Sequence, residues 1–223
     1  MIVYRVCQAI ARAGWPLIGG MDIRGDENVP REGPFLLISN HQSVLDPILI
    51  QAFCPRPLHT MAKSTQFASP AMRWLMTRLN SFPVRRFEID PQAVRTALRR
   101  LEEGHGVGIY IEGERSWDGE LQPPRLGTVR LVLRAGVPVV PAAIAGSYEA
   151  WPRWASGLRR ADVAIRFGQP LRWPAMRRKE REANLEHAAT RIMAVLADLL
   201  ADARQALIAR DSRREASLRA AID

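Results

Sequence analysis

The chain has 223 residues, of which 47% are hydrophobic and 25% are charged, and both fractions are ordinary for a globular protein. This composition excludes a disordered chain, a collagen-like chain and a coiled-coil rod, and the length suits one domain with a helical appendage. The two cysteines, Cys7 and Cys54, exclude a disulfide framework, so a reducing compartment is the expected setting.

Positive charge is the unusual feature of the composition. The chain carries 32 Lys and Arg against 23 Asp and Glu, a formal net charge of +9. Residues 56–100 hold nine cations and two acids, and residues 153–176 hold five cations and one acid. Such basic stretches favour nucleic acid, anionic lipid or phosphorylated substrates as partners. High-GC codon usage is an alternative explanation for an arginine-rich chain.

The first residues predict an amphipathic helix over 1–20. Residues 1–18 are apolar but are interrupted by two arginines, a glycine and a proline. They therefore lack the run of about 20 clean apolar residues that a bilayer-spanning helix needs. Two placements fit this pattern: a helix that lies on a membrane surface, and a helix that packs on the domain.

Short apolar runs of strand length alternate with segments of helical periodicity. In chain order, strands are predicted at 21–25, 35–39, 58–62, 82–84, 107–111, 139–144 and 162–167. Helices are predicted from Asp46 onward, at 70–79, 91–103 and 127–135, and from 178 to near the end. In the helix at 70–79 we expect Trp74 and Leu75 to face inward.

The alternation of strands and helices predicts a single α/β domain with a mixed, largely parallel sheet flanked by helices. We divide the chain into an N-terminal amphipathic helix at 1–20, an α/β domain at 21–175 and a C-terminal helical segment at 176–223. The last segment is expected to form a long helix that docks on the domain.

A histidine follows the second predicted strand, and an aspartate follows it at the start of a helix. His41 therefore lies at the carboxyl end of a buried strand, where open α/β sheets place their ligands. Asp46, five residues on, can fold back against the imidazole and complete a general-base pair. The alternatives are a turn histidine for His41 and a plain helix N-cap for Asp46.

Two further polar segments come at strand ends. Residues 112–119 (EGERSWDG) contain a glycine, which permits close backbone approach, and Arg115, whose planar fork suits a phosphate. Lys63 and the Arg85–Arg86 pair also follow strands and can line the same edge. The alternatives are a charged hairpin loop for the first segment and a solvated basic face for the second.

Four segments in this order resemble the four motifs of the 1-acylglycerol-3-phosphate O-acyltransferase family, the glycerolipid acyltransferases with an H-x4-D motif. They are residues 40–46 (NHQSVLD), 80–86 (NSFPVRR), 110–116 (YIEGERS) and 137–146 (VPVVPAAIAG). The last of these, taken alone, is also what an ordinary core strand looks like.

The resemblance implies transfer of a fatty acyl group from an acyl thioester, acyl-CoA or acyl-carrier protein, to the hydroxyl of a lysophospholipid. In this assignment His41 is the general base and Asp46 orients it. Glu112, Gly113, Arg115 and Ser116 hold the glycerol phosphate, Lys63 and Arg86 add phosphate charge, and Val139, Val140 and Pro141 contact the acyl chain. The resemblance implies neither a metal nor a bound cofactor. The absence of a clean spanning run and the two basic stretches predict peripheral attachment to anionic lipid on the cytoplasmic face of the cell membrane, and we expect no nucleic acid as a partner.

One departure from the family pattern bears on the identity of the acceptor. Glu114 stands where the third motif usually has threonine, beside Arg115. Lysophosphatidic acid is the first choice of acceptor, and a lysolipid with a cationic headgroup, such as lyso-ornithine lipid, is the second. A non-enzymatic nucleic-acid-binding domain would explain the charge, but the aromatic residues that stack on bases are not interleaved with the cations.

Overall fold

A computed structural model describes residues 2–86, 88, 90–174 and 176–220. Met1 and residues 221–223, which belong to the predicted terminal segments, lie outside the described residues. Seven strands form one sheet in the order β1-β7-β6-β2-β5-β3-β4. Their bounds are β1 Met21–Arg24, β2 Phe35–Ser39, β3 Leu58–Lys63, β4 Ser81–Val84, β5 Gly106–Tyr110, β6 Val139–Ala145 and β7 Val163–Phe167. All seven predicted strands are therefore present, with ends that differ by at most one residue.

The sheet is mixed and largely parallel, as predicted. Strands β6, β2, β5, β3 and β4 run parallel to one another, and β1 runs parallel to β7. Only the β6–β7 pair is antiparallel among the described strand pairs. The carboxyl ends of five adjacent strands consequently meet at one edge of the sheet, which we call the carboxyl edge.

Eight α-helices lie within the described residues, and prolines begin three of them because proline suits the first helical turn. The bounds are α1 Ile2–Ile18, α2 Asp46–Phe53, α3 Pro70–Arg78, α4 Pro91–Glu102, α5 Leu126–Ala135, α6 Ser147–Ala150, α7 Arg178–Ala183 and α8 Leu185–Ala220. The predicted C-terminal helix is thus two helices, since the chain turns at Asn184 before α8 begins.

Helices cover both faces of the sheet. Alternate residues of β2 point to opposite faces, so Phe35 and Leu37 join one core while Leu36 and Ile38 join the other. Helices α1 and α2 cover the first face. Helices α4, α5 and α8 cover the second, where α8 contributes buried residues such as Ile192. This two-layered burial explains why the central strands are apolar throughout.

Helix α1 packs on the domain through one side only. Tyr4 and Trp15 are buried, and the Tyr4 hydroxyl accepts a hydrogen bond from the Leu58 backbone N–H at 3.2 Å. The other side of α1 is exposed. The structure therefore agrees with packing on the domain and leaves a side that can lie on a membrane surface. Within the described part of the chain, no helix has the length and apolar content needed to cross a membrane.

The expected orientation of α3 is wrong for Trp74. This side chain is 54% exposed, with the Arg78 guanidinium 5.6 Å from the centre of its ring, while Leu75 is half-buried. Helix α3 packs mainly on β4 and on the short 3₁₀ turn at Ser64–Phe67, at the edge of the sheet. So narrow a contact leaves no residue of α3 fully buried and covers only part of its surface, which does not include Trp74.

Candidate active site

The predicted site residues follow neighbouring parallel strands. His41 comes after β2, Glu112 after β5 and Arg86 after β4, and these strands run in the same direction. All three residues therefore lie along the carboxyl edge, where α/β proteins bind ligands. Two backbone hydrogen bonds join the first two segments: Ile111 N–H donates to the Ser39 carbonyl at 3.0 Å, and Ser116 N–H donates to the His41 carbonyl at 2.8 Å.

His41 and Asp46 form the predicted pair. The distance from His41 Nδ1 to Asp46 Oδ2 is 2.8 Å, and both side chains are buried. A carboxylate accepts hydrogen bonds, so Nδ1 carries the proton of the neutral imidazole and Nε2 has the free lone pair. The imidazole is thus oriented as a general base acting through Nε2.

Asp46 is not the N-cap of α2, because its carboxylate accepts hydrogen bonds from the turn that precedes this helix. Oδ2 accepts hydrogen bonds from the backbone N–H groups of Gln42 at 2.6 Å and Ser43 at 2.7 Å. Leu45 occupies the N-cap position of α2. The other oxygen, Oδ1, is buried and has no hydrogen-bond partner among the residues that the structure describes. The carboxylate therefore serves His41 and its turn, which favours the general-base interpretation over the capping one.

The surroundings keep His41 neutral. Burial lowers its pKa below the ordinary value of 6.5; Asp46 opposes this effect, and the charges of Arg86 and Arg115 add to the lowering. The ring of Tyr110 stacks on the imidazole, with 4.0 Å between ring centroids and an interplanar angle of 22°. A neutral, tightly packed imidazole is able to accept a proton at neutral pH.

Glu112 is buried directly behind the histidine. Its Oε1 accepts a hydrogen bond from the His41 backbone N–H at 2.9 Å, while Oε2 is buried without a hydrogen-bond partner in the described part of the chain. Burial, the largest cause, raises the pKa of Glu112 from 4.5 to about 8, and the charges of Asp46 and Asp118 also raise it. At neutral pH the carboxyl group is therefore mostly protonated.

Replacing Glu112 by glutamine should change how stability depends on pH. In the folded protein the carboxyl keeps its proton up to about pH 8, whereas its ordinary pKa is 4.5. Between these values the native state binds more protons, so the free energy of unfolding that Glu112 contributes falls as pH rises. Glutamine does not titrate. The stability of Glu112→Gln relative to wild type should therefore rise through this window in urea unfolding experiments. Parallel stability curves for the two proteins would contradict the buried neutral carboxyl.

Two arginines supply positive charge close to His41. Both Arg86 and Arg115 are half-buried, and both act electrostatically on the imidazole. Burial lowers the pKa of each guanidinium; the charge of Arg115 further lowers that of Arg86, and the charge of Arg153 that of Arg115. Cations held this close to one another favour binding of an anion between them.

The carboxylate of Glu114 is turned toward two other arginines. Its Oε1 lies 3.3 Å from Arg125 Nη2, and its Oε2 lies 3.7 Å from Arg153 Nη1. Arg153 also donates a hydrogen bond to the Arg115 carbonyl at 2.7 Å. Among the described residues, Glu114 has no ion pair with its neighbour Arg115, which leaves the Arg115 guanidinium available to a ligand.

The other predicted polar residues have different surroundings. Lys63 ends β3 opposite Val84 in register, at the carboxyl edge, and its side chain is exposed. Gly113 has a φ of 76°, a left-handed conformation that favours glycine, and a Cβ there would lie 2.8 Å from the Arg125 side chain. The Ser116 hydroxyl is buried in its own loop, where it donates to Asp118 at 2.8 Å and accepts from the Gly119 N–H at 2.9 Å.

The three residues assigned to the acyl chain lie in the core. Val139, Val140 and Pro141 belong to β6, in the middle of the sheet, and all three are buried. Val139 joins the core on one face and Val140 the core on the other. Their burial matches the alternative of an ordinary core strand and does not support the predicted acyl contact.

Sequence reasoning missed several residues that shape the site. Asn40 joins β2 to β6 through reciprocal hydrogen bonds with the Ile144 backbone, both 2.9 Å long. Tyr110 stacks on the imidazole, although it had no role in the predicted motif. Arg153 approaches Arg115 from a loop that no motif includes. In the sequence, Arg153 was indicated only by the basic character of residues 153–176.

Fold and site together define an α/β protein with a histidine–aspartate pair and a cationic rim at the carboxyl edge. The sequence profile of the Acyltransferase family matches residues 20–145, more than half of the chain, so the chain belongs to this family. The predicted family is confirmed. This class is preferred over the nucleic-acid-binding alternative.

Two relatives illustrate the match. The chain is 31% identical over 156 residues to a chloroplastic 1-acyl-sn-glycerol-3-phosphate acyltransferase of Brassica napus, covering 67% of this chain and 44% of that protein. It is 27% identical over 173 residues to the 1-acyl-sn-glycerol-3-phosphate acyltransferase of Bacillus subtilis, covering 76% of this chain and 82% of that protein. The chain thus spans less than half the length of the first relative and most of the second.

The fold also resembles a solved structure. The crystal structure of the 1-acyl-sn-glycerophosphate acyltransferase of Thermotoga maritima superposes with a TM-score of 0.71, covering 88% of this chain and 79% of that one. Sequence identity is 21%, so this similarity establishes the fold. It agrees with the predicted single α/β domain.

Proposed function

We propose that this protein transfers a fatty acyl group from an acyl thioester to the hydroxyl of 1-acylglycerol-3-phosphate, which gives phosphatidic acid. The observation that carries the proposal is the His41–Asp46 pair at 2.8 Å, with Arg86 and Arg115 close to the same imidazole. A base without a protein nucleophile suits a reaction in which the acceptor hydroxyl attacks directly. The names of the relatives point to the same acceptor.

In the proposed mechanism His41 acts as base and then as acid. Nε2 removes the proton from the acceptor hydroxyl as its oxygen attacks the thioester carbonyl carbon, and Asp46 stabilises the resulting imidazolium. The tetrahedral intermediate then collapses, the carbon–sulfur bond breaks, and the imidazolium returns the proton to the departing thiolate. The products are the new ester and the free thiol of CoA or of acyl-carrier protein.

The charge pattern around Glu114 favours a phosphate over a cationic headgroup. Its carboxylate faces Arg125 and Arg153, so these cations compensate its charge. Arg86 and Arg115 then outweigh the remaining acidic charge near the site and suit an anionic acceptor. Lysophosphatidic acid accordingly remains the first choice, and lyso-ornithine lipid the second.

The proposal is tested with a panel of acceptors. Purified protein is incubated with a labelled acyl-CoA, or with acyl-carrier protein carrying the same acyl group, and with lysophosphatidic acid, lyso-ornithine lipid or no lysolipid. Mass spectrometry then identifies the products. We expect phosphatidic acid as the main product. An acylated ornithine lipid as the main product would replace the acceptor but keep the reaction class, and hydrolysis alone would contradict acyl transfer.

Replacing Arg115 by lysine should weaken use of the acceptor. Lysine keeps the positive charge but loses the planar fork that holds a phosphate through two parallel hydrogen bonds. We expect the apparent KM for lysophosphatidic acid to rise about tenfold, with the KM of the thioester nearly unchanged. Arg85→Lys is the matched control, because Arg85 is exposed and its guanidinium is already paired with Glu88 at 3.3 Å and Asp90 at 3.6 Å. Equal effects of the two substitutions would argue against a phosphate contact at Arg115.

We further propose that α1 lies on an anionic membrane surface. Ile2, Val6, Ile10 and Leu17 are exposed and share one side of the helix, opposite the buried Tyr4 and Trp15. An apolar helix side that remains uncovered, on a protein with a net charge of +9, suits the interface of an anionic bilayer. This is the peripheral association that we place on the cytoplasmic face of the cell membrane.

Vesicle binding should weaken when salt is added and when an exposed apolar side chain of α1 is replaced by a polar one. Salt screens the attraction between the basic protein and anionic lipid, and Ile10→Ser removes apolar area from the interface. Ile10 is 66% exposed on the uncovered side of α1. Co-sedimentation with phosphatidylglycerol vesicles should therefore decrease for Ile10→Ser. Equal binding to neutral and anionic vesicles at every salt concentration would contradict the proposal.

A further inference from the structure

A second set of large apolar side chains is exposed beside the site, in two loops away from α1. Trp117 is 65% exposed, Trp154 is 57% exposed and Leu158 is 42% exposed. Trp117 belongs to the loop after β5, and the other two belong to the loop between α6 and β7. Exposed apolar side chains that cluster in this way mark surfaces that bind a partner.

Arginines and hydrogen bonds hold the two indoles in place. The Arg153 guanidinium lies 3.5 Å from the centre of the Trp117 ring, and the Arg159 guanidinium lies 5.3 Å from that of Trp154. The Tyr148 hydroxyl donates to the Trp117 carbonyl at 2.8 Å and accepts a hydrogen bond from Trp154 Nε1 at 3.1 Å. The two loops therefore present one connected surface.

We propose that Trp117, Trp154 and Leu158, with Arg153 and Arg159, form a patch that contacts the headgroup–acyl boundary of an anionic bilayer beside the candidate site. We call this set the tryptophan–arginine patch. The proposal deepens the function proposed above, since it rests on a lipid acceptor, and it adds a second contact with the membrane. These side chains, apart from Trp117, lie beyond residues 20–145, the segment that matches the family.

Charge and chemistry favour a bilayer as the occupant. Residues 151–160 contain three arginines and no acidic residue, which complements anionic headgroups. Tryptophan combines an apolar ring with a polar N–H, and arginine keeps its charge in water while its stem lies along apolar surface. Both side chains therefore suit the membrane–water interface, where tryptophan is enriched.

The patch is continuous with the site on one side. Arg153 donates a hydrogen bond to the Arg115 carbonyl at 2.7 Å, and Ser116, which precedes Trp117, donates to the His41 carbonyl at 2.8 Å. A lysolipid headgroup near Arg115 would thus lie beside the patch. Its acyl chain would remain at the bilayer surface while its hydroxyl reaches His41.

The loop that carries Trp154 and Leu158 also contacts the chain directly after α1. The backbone of Gly19 packs so closely against the loop that a Cβ at this position would lie 1.9 Å from the Ala161 carbonyl oxygen. The exposed side of α1 ends at Leu17, two residues earlier. We therefore infer that α1 and the patch contact the same bilayer and orient the carboxyl edge toward it.

Quenching of tryptophan fluorescence by brominated lipid tests this contact directly. Vesicles contain phosphatidylglycerol and phosphatidylcholine with bromine on the acyl chains, and neither a thioester nor a lysolipid is added. Trp154→Phe should lose part of the lipid-dependent quenching that wild type shows. Trp173→Phe is the control, because Trp173 follows Leu171, which pairs with the start of β6 at the opposite edge of the sheet. This control should keep the wild-type quenching amplitude.

A second measurement gives the affinity. The double variant Trp154→Ser, Leu158→Ser should bind anionic vesicles about tenfold more weakly than wild type, since it removes apolar area from the interface. Circular dichroism and thermal melting confirm that the variant is folded. Because no acyl transfer is measured, the result does not depend on whether the proposed acceptor is right.

Two results would overturn the proposal. One is unchanged quenching in Trp154→Phe together with unchanged vesicle affinity in the double variant. The other is intact vesicle binding with weakened binding of acyl-carrier protein, which would assign the patch to a protein partner. Loss of both quenching and vesicle affinity, with the Trp173→Phe control intact, is the result that we expect.

Discussion

His41→Ala should lower acyl transfer to lysophosphatidic acid by about 10²–10⁴-fold, the usual cost of removing a general base. The imidazole is buried, with 4% of the residue exposed, and is held by Asp46 on Nδ1 and by the Tyr110 ring. We expect the loss in kcat, measured with saturating thioester and acceptor. Affinity for vesicles should stay at the wild-type level, because His41 is not part of the exposed surface.

A second histidine provides the control for this substitution. His187 is exposed on α8, on the far side of the sheet, and His187→Ala should keep full activity. Thermal melting of both variants separates a loss of chemistry from a loss of folding. Near-normal turnover by a folded His41→Ala protein would exclude the general-base mechanism.

Asp46→Asn should impair acyl transfer nearly as much as His41→Ala, with a loss of about 10²–10⁴-fold in kcat. Oδ2 of Asp46 accepts three hydrogen bonds, from His41 Nδ1 and from the backbone N–H groups of Gln42 and Ser43. An asparagine oxygen can still accept from these donors, but it carries no charge to stabilise the imidazolium. If the amide is turned, its NH₂ faces Nδ1 and favours the wrong tautomer of the histidine.

Asp162→Asn serves as the comparison for stability. Asp162 also accepts a hydrogen bond from a backbone N–H, that of Gly20 at 2.5 Å, and it pairs with Arg210 at 2.8 Å. It is not bonded to His41, so Asp162→Asn should cost stability and leave turnover intact. If Asp46→Asn behaved in the same way, its carboxylate would serve the turn alone.

Local pattern was sufficient to predict the order of the strands and of the longer helices, but not the short helix α6. Buried strands such as β2 read as continuous apolar runs, and proline at the start of α2, α3 and α4 marks helices whose first turn needs no N–H. Both signals depend on residues close together in the chain. All seven strands were predicted for this reason, while the break between α7 and α8 at Asn184 was not.

The residues of the site were also predictable, because they follow strands that share a direction. His41, Glu112 and Arg86 each come directly after a strand, and parallel strands bring their carboxyl ends to one edge. The spacing of His41 and Asp46 predicted their contact, and the structure places Nδ1 and Oδ2 2.8 Å apart. Their catalytic roles remain predictions that the variants above test.

The sequence by itself determined which segments form buried strands, which residues begin helices and which end strands, since these properties follow from the side chain and its near neighbours. Only the tertiary structure decided which side chains become partners. Glu114 faces Arg125 and Arg153 instead of the adjacent Arg115, and Val139 is enclosed by the core instead of lining a groove. These pairings join loops and strands far apart in the chain. Their geometry depends on how the sheet brings its ends together, and no short stretch of sequence contains that information.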